Sequence, residues 1–335
     1  MNVLRTLTIV ALCAGLLAAC SKSVPDAPSA VQAVSLQQEW IPYSGYAGEV
    51  AASRRFAAKN GLQLTVVAGS EQVDPIKLVL AGTAKFGVVG GDLLVAAIAK
   101  GAPLVAIGVV NEQSPTVFLV DAQSHIRTPR DFVGQKVGIL PGTNTERIYQ
   151  LMMQRAGIDR ATVQEIPVPF DLQTFLLKQY AVRPAFIFDE PVSLEQKKVA
   201  YRIIKPEGVA FLGTVYFTTR DTLTRERPTV VRLLKSLVQG WQFALHAPND
   251  AVADLAASFP EIDRARESRA LELGLPYFAG AAGKPLQCND AAWKTMISGL
   301  EELKVIAPQS VTLDQVWAPA ALQDAYNQLA QESKP

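Results

Sequence analysis

Short apolar runs alternate with helix-forming segments along most of this 335-residue chain, and that alternation restricts the fold more than any other feature. Strands separated by helical crossovers pair in parallel, and the helices then cover the faces of the sheet. The first series of apolar runs falls at 34–40, 62–68, 86–89, 104–110 and 116–120. Helix signals stand between them. Asp74-Pro75 supplies an N-cap followed by proline at the first helical position, and Gly82 marks the stop. Asp92 begins a second helical stretch as its N-cap, and Gly101 closes it in the same way.

A second series starts at Thr128-Pro129, with Gly134 as its stop, and continues through apolar runs at 136–140, 163–168, 185–188 and 201–204. After a further run at 211–219 the pattern turns helical, at 228–245, 249–258, 262–273, 290–303 and 319–331. No repeat of fixed period is present. The expected fold is α/β with two lobes: 35–120 with 211–335 as the first, and 121–210 as the second. Crossovers are expected near 119–123 and 205–215. Between such lobes, strand C-termini and helix N-termini converge on a cleft suited to a ligand.

The chain start carries one positive charge, Arg5, then an uncharged apolar run and small residues, which reads as a secretory signal over 1–19. The run is too short for a spanning helix. Leu17-Ala18-Ala19-Cys20 resembles the lipobox of bacterial lipoproteins, in which the cysteine is lipidated and becomes the first residue. Residues 20–34, small, polar and proline-bearing, then read as a lipid-anchored tether. Signal removal discards Cys13 and leaves Cys288 as the one thiol, expected to be buried and inert. A disulfide within one molecule is then impossible.

With 32 basic against 31 acidic side chains, the chain shows no dedicated nucleic-acid surface, and none is expected as a partner. The two histidines leave little material for a metal site. Phosphate-binding, nucleophile-elbow and zinc-protease motifs are missing from the sequence. His125 stands in a polar turn and His246 near a helix end. Neither metal, cofactor nor catalytic residue is expected.

Several segments carry a resemblance to one family: 39–48 (EWIPYSGYAG), 74–82 (DPIKLVLAG), 86–92 (FGVVGGD), 141–146 (PGTNTE), 188–191 (FDEP) and the helix with Gly240-Trp241. Together they resemble the substrate-binding proteins of ABC importers, in the branch handling thiamine-pyrimidine precursors, sulfonates and nitrate. The resemblance spans about 35–305 in the family's order. It implies a type II periplasmic-binding-protein fold with ligand held at the hinge. Pyrimidine-precursor members carry an Asn and a His after the tryptophan, and here Pro42-Tyr43-Ser44-Gly45-Tyr46 stands instead. Flavins and aromatic carboxylates therefore remain alternative ligands, as do sulfonates and nitrate.

Trp40, Tyr43 and Tyr46 cluster beyond the first strand and can stack on a flat ring; core or hinge packing is the other reading. Glu71 follows the second strand, and Gly91 and Asp92 follow the third, where free helix N–H groups and close backbone approach favour a ligand. Asn111 ends the fourth strand. Thr143 and Asn144 open a helix whose N–H groups suit an oxygen, while Thr143 and Glu146 have capping-box spacing. Phe188 precedes the carboxylate pair Asp189-Glu190, and Glu190 is suited to an aminopyrimidine edge or to a bridge between the lobes with Arg183. Phe170 is expected on a further wall and Tyr216 on the returning crossover.

The expectation is thus a monomeric, lipid-anchored binding protein in the periplasm or at the cell surface. It captures a planar heterocycle, such as a pyrimidine thiamine precursor, for an ABC permease and its ATPase. A ligand-sensing lipoprotein and a pyrimidine-synthesising enzyme on the same fold are the competing classes.

Overall fold

Each apolar run becomes a strand in the computed structural model, which describes residues 31–332. The strands are β1 (Gln32–Gln37), β2 (Leu62–Val67), β3 (Phe86–Gly90), β4 (Leu104–Val109), β5 (Thr116–Asp121), β6 (Lys136–Ile139), β7 (Gln164–Pro167), β8 (Val182–Phe186), β9 (Tyr201–Ile204) and β10 (Thr214–Thr219). They divide into two five-stranded sheets, ordered β2-β1-β3-β10-β4 and β7-β6-β8-β5-β9. Within each sheet the consecutive strands run parallel, and one strand arriving from a crossover is antiparallel to its neighbours: β10 in the first, β5 in the second. One large apolar core packs the first sheet, and separate cores lie on the two faces of the second.

The position of β5 corrects one expected boundary. Residues 116–120 pair with β8 and β9, so they belong to the second sheet, and the first crossover lies at 110–115 instead of 119–123. Asn111 causes the early exit. Its Oδ1 accepts from Thr214 N–H (3.2 Å) and its carbonyl accepts from Gly213 N–H (2.9 Å), which turns the chain out of the first sheet. Ser114 N–H donates to Phe211 O at 2.7 Å, so the outgoing and returning crossovers are bonded side by side and form the hinge.

Most cap signals act as expected. Asp74 Oδ1 accepts from Lys77 N–H, Thr128 and Asp131 form a capping box, and Gly82, Gly101 and Gly134 take left-handed φ values. Asp92 does not cap: Gly90 holds that position, and Asp92 lies inside the first turn of the helix Gly91–Ala99. The stretch read as tether is shorter than expected, because Gln32 N–H donates to Gly61 O at 3.0 Å and starts β1 there. The signal segment, Cys13 and Cys20 lie outside the described residues. Cys288 is half-buried rather than buried, although its surroundings still push the thiol upward. No helix among the described residues is long and apolar enough to cross a membrane.

Two glycines hold the site's supporting helices together. The helix Arg227–His246 lies on the short helix Ala47–Ala51, and a Cβ at Gly240 would fall 2.1 Å from Gly48 O. A Cβ at Gly48 would in turn enter the Trp241 ring, at 2.2 Å. Neither helix can yield without moving a backbone. Gly240→Ala is therefore expected to destabilise the protein by about 2–3 kcal/mol, read as a lower urea midpoint at unchanged m-value.

Candidate functional site

The segment after β1 builds one wall of a cleft. Trp40 N–H donates to Tyr46 Oη at 3.1 Å, and Trp40 O accepts from Gly69 N–H at 3.0 Å, so the backbone is held from both sides. With its main chain fixed, Trp40 turns its ring to Phe170 of the second sheet's β7 loop, centroids 4.6 Å apart. Tyr43 packs edge-on against Tyr46 at 4.8 Å and lies nearly parallel to Phe188 at 6.2 Å. These rings border a cavity of about 790 Å³ that takes residues from both sheets.

Of the residues singled out in the sequence, Trp40, Tyr43, Tyr46, Glu71, Thr143, Asn144, Phe170 and Glu190 line the cavity. The hydroxyl of Thr143 is already engaged, donating to Leu140 O (2.7 Å) and accepting from Glu146 N–H. The Glu146 carboxylate reaches Gly142 N–H at 2.6 Å, which takes it off the cleft. Asn144 bridges Ser114 Oγ and Asp92 Oδ1, at 2.9 and 2.8 Å.

Five expected residues do not line the cavity. Gly91 is buried at a helix start, its N–H donating to Gly213 O. Asp92, fully buried, is held by an ion pair to Arg147 and by the Asn144 amide. It ties the first sheet's side of the cleft to the second. Asn111 serves the hinge. Phe188 sits behind Tyr43, packed on Phe278 at 5.3 Å. Tyr216 lies in β10 rather than in a crossover, and its hydroxyl accepts from Trp241 Nε1–H at 2.8 Å.

Two carboxyls carry the electrostatics, one from each sheet. Glu39 Oε2 accepts from Gly90 N–H at 3.1 Å. Burial, aided by the charge of Asp92, nevertheless pushes its carboxyl up to about 8. Glu190 accepts from Phe186 N–H at 2.8 Å, and burial with the adjacent Asp189 pushes it up to about 7 against the pull of Arg183. The Arg183 contact, 3.6 Å, joins β8 to the helix that follows it and does not bridge the lobes. Near neutral pH both carboxyls can therefore donate as well as accept hydrogen bonds.

Behind the aromatic wall runs a buried polar chain. Gln38 Nε2–H donates to Glu49 Oε2 at 2.9 Å, and burial pushes Glu49 up to about 8, opposed by Gln38 and Tyr216. Sequence reasoning passed over Glu39, although it directly precedes Trp40. It also missed Ser193, Lys197 and Arg266, which line the cleft, and it read Asp189 only as half of the carboxylate pair. Arg266 comes from a helix more than two hundred residues from the aromatic segment, and no local pattern marks it. Among the described residues no cluster of His, Cys, Asp and Glu is placed to hold a metal.

Residues 47–251 match the family described as NMT1/THI5 like. The chain is 24% identical over 263 residues to a 4-amino-5-hydroxymethyl-2-methylpyrimidine phosphate synthase of Legionella pneumophila, covering 77% of this chain and 82% of that protein. It is 26% identical to the riboflavin-binding protein RibY of Chloroflexus aurantiacus, with 82% and 85% covered. With the formylaminopyrimidine-binding protein of Halalkalibacterium halodurans it shares 23% identity, over 85% and 89% of the two chains. Among solved structures, the periplasmic aliphatic sulphonate binding protein SsuA of Escherichia coli aligns over 86% of this chain and 93% of its own, with a TM-score of 0.68 at 18% identity.

Proposed function

We propose, given that this chain belongs to the NMT1/THI5-like family, that it is an extracytoplasmic solute-binding protein that captures a small planar nitrogen heterocycle for an ABC permease. A pyrimidine of the thiamine-precursor type is the leading ligand. The observation that carries the reading is the pairing of an aromatic gate with an acidic cleft. Trp40 and Phe170 come from opposite sheets and meet over the cavity at 4.6 Å, an aromatic lid against which a planar ring can pack. Five acidic side chains, Glu39, Glu71, Asp171, Asp189 and Glu190, line the cleft against two basic ones, Lys197 and Arg266. Amino and ring N–H groups of a heterocycle meet the carboxyl oxygens, and its ring nitrogens can accept from the protonated carboxyls of Glu39 and Glu190.

Binding rather than synthesis is supported by the placement of the histidines. His125 stands in an exposed turn, and His246 in a last helical turn bonded to Gln242 O. Neither lines the cleft. Lobe closure would exclude water and strengthen the few polar contacts. The lipobox-like Leu17-Ala18-Ala19-Cys20 supports attachment to a bacterial membrane through a lipid on Cys20.

A thermal-shift panel of aminopyrimidines, riboflavin, aromatic acids and sulfonates tests the reading. A true ligand at about 100 times its dissociation constant should add about 2.7 kcal/mol of stability. Pyrimidines are expected to respond first. A response confined to sulfonates or nitrate would reject the heterocycle, and one confined to riboflavin would change the ring class.

A further inference from the structure

The aromatic wall and the Glu190 turn belong to different sheets, yet a continuous chain of charged groups joins them. Glu267, only 4% exposed, accepts from Ser44 N–H at 2.6 Å, in the middle of the Tyr43–Tyr46 segment. Its other oxygen takes Arg266 Nη1. Arg266 then crosses the cleft through Nη2 to Asp189 Oδ1, with Ser193 Oγ at 3.3 Å. Asp189 immediately precedes Glu190, whose carboxyl faces the cavity. Farther out, the same two helices meet again through Arg269 and Glu195, at 3.2 Å.

We infer that Arg266 is a positioning residue and an interlobe latch: it couples the seating of the aromatic segment, through Glu267, to closure of the Asp189-Glu190 turn. The inference deepens the binding role above without depending on which heterocycle binds. The guanidinium alone can serve this purpose, because its fork satisfies two carboxylates at once in fixed geometry. Asp189, left without it, would face the cleft as an uncompensated charge beside Glu190. The latch therefore favours the closed arrangement and slows ligand escape, while entry proceeds from the open arrangement, in which the pair is parted.

The test has two arms. In the first, small-angle scattering on the ligand-free protein compares the parent with Arg266→Met, and circular dichroism checks the fold. The variant is expected to have a larger radius of gyration, and Arg266→Lys, which keeps the charge but not the fork, an intermediate one. Equal radii for parent and Arg266→Met would overturn the latch.

In the second arm, stopped-flow fluorescence follows 4-amino-5-hydroxymethyl-2-methylpyrimidine, with riboflavin as the alternate probe. Arg266→Met and Asp189→Asn are each expected to speed dissociation about tenfold, with association no slower than the parent's because the open arrangement is more populated. The double variant should be no faster than either single one, because both cut the same link. Additive effects would overturn the coupling. If neither probe binds the parent, the ligand reading fails while the scattering result still decides the latch.

Discussion

Trp40→Ala is expected to weaken ligand binding by about 3 kcal/mol, more than 100-fold, with the fold intact. The size follows from what the side chain does. Its ring meets Phe170 across the cleft, and in the proposed binding role it gives the ligand stacking area and closes the cavity against water. The fold survives because the indole is not what holds the segment. Tyr46 Oη and Gly69 N–H bond the Trp40 main chain, and both contacts remain in alanine. Phe170→Ala should cost less, because that ring is 42% exposed and its loop is held independently by Arg183 bonds to the carbonyls of Pro169 and Phe170. Titration calorimetry on the two variants, with urea unfolding as the control, reads both quantities. Unchanged affinity in Trp40→Ala would remove it from the binding wall.

Glu49→Gln is expected to stabilise the protein at about pH 8 by on the order of 3 kcal/mol, with the gain shrinking toward about pH 5. Glu49 is fully buried, and its carboxyl titrates at about 8 in the fold against an ordinary 4.5. Between those values the native state holds a proton that the unfolded chain has released. Stability therefore falls as pH rises through this window. The contribution is complete below the unfolded value and gone above the folded one. Glutamine keeps the acceptor for Gln38 Nε2–H and has no proton to lose. Glu39 and Glu190 slope the parent curve in the same direction, so the difference between variant and parent isolates Glu49. Urea midpoints across the range provide the measurement, and parallel curves would refute the buried titration.

Both predictions rest on residues that the sequence places only in part. Trp40, Tyr43 and Tyr46 are legible because three aromatics fall within seven positions after an apolar run. Glu190 is legible because paired carboxylates after a buried strand demand donors. Asp92 shows the limit of such reasoning. Its local pattern reads as an N-cap, but its partners are Arg147 and Asn144, more than fifty residues away on the second sheet's side. Asn111 reads as a strand-end ligand group, yet its side-chain oxygen accepts from the first N–H of β10 and its main-chain carbonyl from Gly213 of the returning crossover. The placement of β5 depends on which neighbours accept its hydrogen bonds, and an apolar run looks the same in either sheet.

By itself the sequence determined the alternation of strands and helices, the caps at Asp74, Thr128 and Thr143, and the aromatic cluster after the first strand. All of these are set by interactions spanning a few residues, which a linear pattern records. Tertiary structure alone decided that Glu39 and Glu190 face one cavity with raised proton affinities, and that Arg266 spans it. Those properties arise from desolvation and from Coulomb forces between groups brought together by folding, and such forces depend on distance in space, not along the chain.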